Sequence, residues 1–67
     1  MGDQLESRLR EERTRRNLTQ AQLAELVGVS RKTINTVENG IFIPSTVLAL
    51  RLAKALDTTV EMLFKLR

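Results

Sequence analysis

The sequence contains neither cysteine nor histidine. Without cysteine there are no disulfides and no thiolate metal site, and a reducing, cytoplasmic setting is the natural expectation. Without histidine the commonest general base and the commonest metal ligand are missing together. No apolar stretch approaches the roughly 20 residues that cross a bilayer, and the charged N-terminus lacks the apolar run of a signal peptide. Carboxylates are scattered: Asp3, Glu6, Glu11 and Glu12 read as a solvated helix face, because their spacing builds no metal cage. A length of 67 residues leaves room for one domain, 1–67, and too little for a substantial substrate pocket or a separate effector domain. An enzyme is therefore not expected. Nor are a metal, a cofactor, a membrane partner or a small-molecule effector site.

What the sequence does have is a mild positive excess, 11 basic against 8 acidic residues, for a net charge of +3. That permits a polyanionic partner without establishing one. Punctuation divides the chain into five short helices. Leu5 and Leu9 stand one turn apart in a charged stretch reaching Arg16, which predicts a first helix with one apolar edge. Asn17 ends it, because asparagine tolerates a left-handed backbone. Thr19 and Gln22 form a capping box that opens a second helix with Leu23, Ala24 and Val27 inward and Gly28 at its close. Ser30 caps a third helix carrying Ile34 and Val37, which Asn39-Gly40 terminates. After a loop, Ile41 to Ser45, that holds the only proline, Thr46 to Leu56 places Leu48, Leu52, Ala53 and Leu56 at helical spacing. Thr58 and Glu61 read as a second capping box, for a short fifth helix with Val60, Leu63 and Phe64. No segment alternates as a strand would. The expected fold is all-α.

The segment that points to function is QAQLAELVGVSRKTINTVEN, residues 20–39. Two helices joined across a short glycine-containing turn have the geometry of a helix-turn-helix. Ala24 is small where the third helix crosses the second, and Gly28 supplies a backbone conformation that a Cβ disfavours. Leu23, Val27, Val29, Ile34 and Val37 fill the space behind the two helices. A generic helical hairpin with a turn glycine would not need all of these together.

Over Leu9 to Phe64 the chain resembles the Cro-type, phage-repressor-like (Xre-like) helix-turn-helix regulators. The pieces that carry the likeness are Leu18-Thr19-Gln20, Leu23-Ala24, Gly28-Val29-Ser30, Ile34, Val37-Glu38-Asn39-Gly40, Pro44-Ser45 and Leu52-Ala53-Lys54-Ala55-Leu56. The resemblance implies a compact five-helix domain whose third helix, Ser30–Asn39, enters the major groove. It further implies a homodimer on a two-fold-related, palindromic operator, acting as a transcriptional repressor.

A helical wheel at about 100° per residue tests the recognition helix separately. With Ile34 and Val37 inward, Lys32, Asn35, Thr36 and Asn39 point furthest out, and Arg31 and Thr33 lie on the flanks. Short polar side chains with two cations suit base edges and phosphates better than an ordinary solvated face does. Arg31 or Lys32 could pair with guanine and Asn35 with adenine. Gln20 matches the family's glutamine that touches the DNA backbone, at a helix end whose free N–H groups suit a phosphate. Thr19, Ser30 and Thr33 join the same DNA-facing set. In relatives an arginine of the first helix pairs with the glutamate near the end of the recognition helix, which implies an Arg13–Glu38 brace. The wheel places Glu38 beside the buried side but does not single out Arg13, since Arg16 is more nearly in line with Leu5 and Leu9.

The loop departs from the family. Where relatives carry a basic or polar residue after Asn-Gly, this chain has Ile41-Phe42-Ile43, which puts phosphate contacts there in doubt. Phe42 is expected in the core as a loop anchor. Ile41 and Ile43, with Met62, Phe64 and Leu66 of the C-terminus, form the candidate dimer surface, core packing being the other use of the last helix. The competing function is a protein-binding module, such as an antitoxin-type partner of another protein, because the fold alone does not fix the function.

Overall fold

The computed structural model describes residues 4–67. In chain order these form β1 (Leu5–Ser7), α1 (Leu9–Arg15), α2 (Gln20–Val27), α3 (Arg31–Glu38), α4 (Thr46–Ala55), α5 (Val60–Leu63) and β2 (Phe64–Leu66). α1 to α4 stop where the backbone is turned into the left-handed region. Asn17 has φ +58°, Gly28 +76°, Gly40 +72° and Asp57 +53°. α2 to α5 start on hydroxyls: Thr19, Ser30, Ser45 and Thr59 accept from the backbone N–H three residues on. Each such cap is worth about 1 kcal/mol, which matters for helices of four to ten residues that cannot stand alone. At α2 the box is complete, with the Gln22 N–H donating to Thr19 Oγ1 at 3.0 Å and the Thr19 N–H to Gln22 Oε1 at 2.8 Å.

α2 packs on both α3 and α4. The seven large side chains that water does not reach are Leu9, Leu23, Ile34, Val37, Leu52, Leu56 and Leu63, so every helix contributes to one core. Ala24 is buried within it, consistent with a close crossing of α2 and α3. Among the described residues no helix is long and apolar enough to cross a membrane.

Four expectations are corrected. Leu5 is not in the first helix. It pairs with Leu66 in an antiparallel ribbon, with Glu6 opposite Lys65 and Ser7 opposite Phe64. Two leucines at i and i+4 cannot reveal that pairing, because β1's partner lies at the far end of the chain. The Leu9 N–H donates to Ser7 Oγ at 3.3 Å, which is where the strand gives way to the helix. Thr59, not Thr58, caps α5: the Thr58 N–H is taken by the Ala53 carbonyl at 2.9 Å as α4 closes, and Thr59 is extended. Phe42 and Phe64 exchange roles. Phe42 is 47% exposed, whereas Phe64 is only 8% exposed and belongs to the core. The chain turns extended at Phe64, and the ribbon pairing with Ser7 holds that residue at the core. Phe64 therefore works mainly in the core, with only an edge left at the surface. Glu12, finally, is buried rather than solvated. It is ion-paired to Arg16 at 2.9 Å and Arg15 at 3.5 Å. Glu6 lies in β1 against Arg8 and Arg67, and Asp3 lies outside the described residues.

Candidate nucleic-acid interface

α3 has two chemically distinct sides. Ile34, Val37 and the carbon stem of Glu38 are buried, while Arg31, Lys32, Asn35 and Asn39 are exposed and Thr33 and Thr36 are half-buried. The 3.6-residue repeat produces this division once Ile34 and Val37 join the core. Ser30, in extended conformation, caps the helix, with the Thr33 N–H 3.2 Å from its Oγ. Its hydroxyl also lies 3.0 Å from Thr33 Oγ1. Thr36 donates to the Thr33 carbonyl at 2.9 Å. These three hydroxyls are thus already engaged in holding the helix.

Arg31, Lys32 and Asn35 line one shallow concavity of about 320 Å³. Among the described residues neither Arg31 nor Lys32 makes a salt bridge. Arg31 also borders a second open cleft, of about 500 Å³, with Arg13, Asn17, Thr19 and Gln20. The fold therefore brings the start of α2 beside the start of α3. Thr19 and Gln20 meet Arg31 there although they come from a different helix, so the start of α2 and the Arg31 residue border one opening. Such a cleft suits an anionic group.

Behind this surface the Glu38 carboxylate, with no exposed side-chain area, is surrounded by donors from two other helices. Arg13 donates through Nε to Oε2 at 2.5 Å and through Nη2 to Oε1 at 3.2 Å. Gln20 Nε2 donates to Oε1 at 3.0 Å and Arg10 Nε at 3.4 Å. The remaining Arg13 nitrogen, Nη1, donates to the Leu18 carbonyl at 2.7 Å, tying the α1–α2 turn into the same knot. Burial on its own would raise the Glu38 pKa, and it is the largest single influence. The hydrogen bonds from Arg13, Gln20 and Arg10, with the Arg13 charge, outweigh it and leave the pKa below the ordinary carboxylate value. Glu38 is therefore a charged anchor at neutral pH.

Arg16, the other arginine that the sequence left open as Glu38's partner, is held on its own helix by Glu12. Sequence reasoning missed two of Glu38's donors, Arg10 and Gln20. The Arg10–Arg13 spacing was the available signal, because residues three apart share a helix side. Gln20 was read only as a DNA contact. Its side chain is half-buried with one N–H on Glu38, which leaves its second N–H for a phosphate. Asn39 is similarly engaged, accepting from Arg10 Nη2 at 3.0 Å and donating to the Asn35 carbonyl at 2.9 Å.

Beyond α3, Ile41, Ile43, Val47, Leu50, Met62 and Leu66 are exposed. A mostly apolar groove of about 360 Å³ lies beside Leu50, walled by Leu5, Pro44, Thr46, Ala49, Leu50, Val60 and Phe64. Val47 and Leu50 were missed at the sequence level. The spacing of Leu48, Leu52, Ala53 and Leu56 already leaves them off the core side of α4, so a helical wheel was the available signal.

The family model described as helix-turn-helix matches residues 9–63. The chain is 37% identical over 60 residues to the uncharacterised HTH-type transcriptional regulator YgzD of Bacillus subtilis, spanning 90% of this chain and 91% of that one. An uncharacterised HTH-type transcriptional regulator of Methanothermobacter thermautotrophicus is 52% identical over 48 residues, 72% of this chain and 70% of its own. Among solved structures, the restriction-modification controller protein C.AhdI of Aeromonas hydrophila superposes with a TM-score of 0.76 at 44% identity. That match covers 81% of this chain and 82% of the controller protein.

Proposed function

The chain belongs to the helix-turn-helix family, and on that premise we propose that it is a sequence-specific double-stranded-DNA-binding transcriptional regulator. It is a cytoplasmic binding protein rather than a catalyst. One observation carries the reading. On the outward side of α3, Arg31 and Lys32 have no salt-bridge partner among the described residues, while the rest of that helix is pinned by the core and by Glu38. A rigid helix with uncommitted donors is what reading base edges in the major groove requires. Arg31, Lys32 and Asn35 would meet the bases. Thr19, Gln20, Ser30 and Thr33 would meet phosphates, which set register and affinity rather than sequence preference. Thr36 and Asn39, already bonded within α3, would act mainly by holding the reading surface.

The working form is a homodimer joined through Ile43, Val47, Leu50, Met62 and Leu66, with Ile41 at its edge. Removing those side chains from water is favourable at about 25 cal/mol per Å² of apolar surface. Two copies related by a two-fold axis would read a palindromic operator, and occupancy would repress the adjacent promoter. The same apolar face is what an antitoxin-type protein contact would use, so the DNA experiment decides between the two. It is selection from random duplexes at two salt concentrations, with sequencing of the retained DNA. The expected result is a palindromic site with half-sites about 10 bp apart, bound less tightly as salt rises. Retention without sequence enrichment would overturn the proposal in favour of a protein partner.

A further inference from the structure

Arg10 lies on α1, yet its guanidinium reaches the far end of α3. Its Nε is 3.4 Å from Glu38 Oε1 and its Nη2 is 3.0 Å from Asn39 Oδ1. A guanidinium only donates, so the Asn39 amide must turn its oxygen toward Arg10. That turn aims Asn39 Nδ2 back along α3, where it donates to the Asn35 carbonyl at 2.9 Å and to Asn35 Oδ1 at 3.3 Å. Asn35 must then present its own oxygen toward Asn39, which leaves its Nδ2 pointing away, on the exposed side of the helix. The two ends of a carboxamide have nearly the same shape, and only their hydrogen-bond partners make one orientation preferable to the other. In this chain of contacts two groups cannot exchange donor and acceptor roles, the Arg10 guanidinium at Asn39 Oδ1 and the Asn35 main-chain carbonyl at Asn39 Nδ2, and together they break the symmetry.

We propose that Arg10 is a specificity-determining positioning residue: acting through Asn39, and together with the Asn35 main-chain carbonyl, it holds the end of the Asn35 amide that faces the bases. The inference rests on the reading that α3 contacts DNA through Asn35. Asparagine recognises adenine with its N–H on N7 and its oxygen accepting from N6, so a reversed amide presents the wrong partners to both atoms. Arg10 does this from outside the reading surface. Its side chain is 55% exposed, which also makes it a candidate for a plain phosphate contact. The two roles leave different signatures.

The test is duplex selection with the wild type and with Asn35→Ala, Arg10→Met, Asn39→Ala and the Arg10→Met/Asn39→Ala double variant. Asn35→Ala identifies the base pair that Asn35 reads, as the position that loses its preference. Arg10→Met and Asn39→Ala are each expected to weaken discrimination at that same base pair about two- to tenfold, the factor of one ordinary hydrogen bond. The double variant should lose no more than the larger single loss, because both residues act in one relay. Asn39→Ala leaves every Glu38 donor in place, so its agreement with Arg10→Met separates the relay from any loosening of the Glu38 knot. Uniformly weaker binding by Arg10→Met, with an unchanged base profile and a salt slope smaller by about 1, would instead make Arg10 a phosphate contact and overturn the inference. In the free protein, side-chain amide resonances of Asn39 and Asn35 should shift in Arg10→Met, and unchanged resonances also overturn it. If the wild type enriches no site, the DNA-reading premise has failed first, and that case is recognised because no variant is needed to see it.

Discussion

Between Thr19 and Asn39 the polar groups of the helices are matched within the chain. Both helix starts have side-chain caps, the turn has its left-handed glycine, and the buried Glu38 carboxylate has donors from α1 and α2. Between Ile41 and Leu66 the caps are equally complete, yet Ile41, Ile43, Val47, Leu50, Met62 and Leu66 remain exposed. The first region is finished as a monomer, and its outward donors await a ligand. The second is finished in its backbone and unfinished in its side chains, the pattern of a surface that becomes interior on association. On the proposed function the two faces would divide the labour: one would read DNA, and the other would join two copies.

The sharpest way to break this comparison is Glu38→Ala. Arg13 would stay mostly buried with its main partner gone, and losing one member of a buried pair costs about 3 kcal/mol. Urea unfolding should show the loss, and affinity for a selected duplex should fall as α3 loosens. An undiminished midpoint would mean that Glu38 does not brace the recognition helix. Acid should reproduce part of the effect. Because the folded state lowers the Glu38 pKa, the unfolded chain takes up the proton first. The stabilisation is therefore complete above the ordinary value of 4.5 and is lost as pH falls below it through the folded-state value. Glu38→Gln should remove that part of the acid slope and leave the slope between pH 5 and 7 unchanged.

Next in size is Leu50→Glu on the exposed apolar face. Monomer stability should change by no more than about 0.5 kcal/mol, while self-association weakens about tenfold or more in analytical ultracentrifugation. Leu26→Glu serves as the control. Leu26 is equally exposed but lies on α2, away from the groove, and its substitution should leave association unchanged. Equal effects from both would mean that the apolar groove is not the contact. The smallest change expected is Gly28→Ala. The nearest atom to an added Cβ would be Arg51 Nη1 at 3.9 Å, so there is space, but φ is +76°. The cost is thus conformational alone, about 1 kcal/mol in thermal unfolding. A much larger loss would show that the turn has less room than the geometry gives it.

Much of this could be read from local chemistry. The box at Thr19–Gln22, the cap Ser30, the left-handed Asn17 and Gly28, and the inward Ile34 and Val37 each follow from a few neighbouring residues. So does the outward set Arg31, Lys32 and Asn35, because a helix has a single period and its core side is marked by its apolar residues. The Asp57 stop was not legible, since an aspartate after leucine rarely adopts positive φ and nothing local demands it here.

By itself, then, the sequence determined where the five helices lie, which side of the third turns outward, and that this side is polar and basic. Those are properties of spacing and of side chains within one helical turn. Only the tertiary structure decided that Leu5 forms a strand with Leu66, that Phe64 fills the core while Phe42 does not, and that Arg10, Arg13 and Gln20 converge on one carboxylate. Each of those depends on residues from 18 to about 60 positions apart. A contact at that distance leaves no periodic trace in either segment. It exists because the packed apolar core brings the polar groups at its margin into reach of one another.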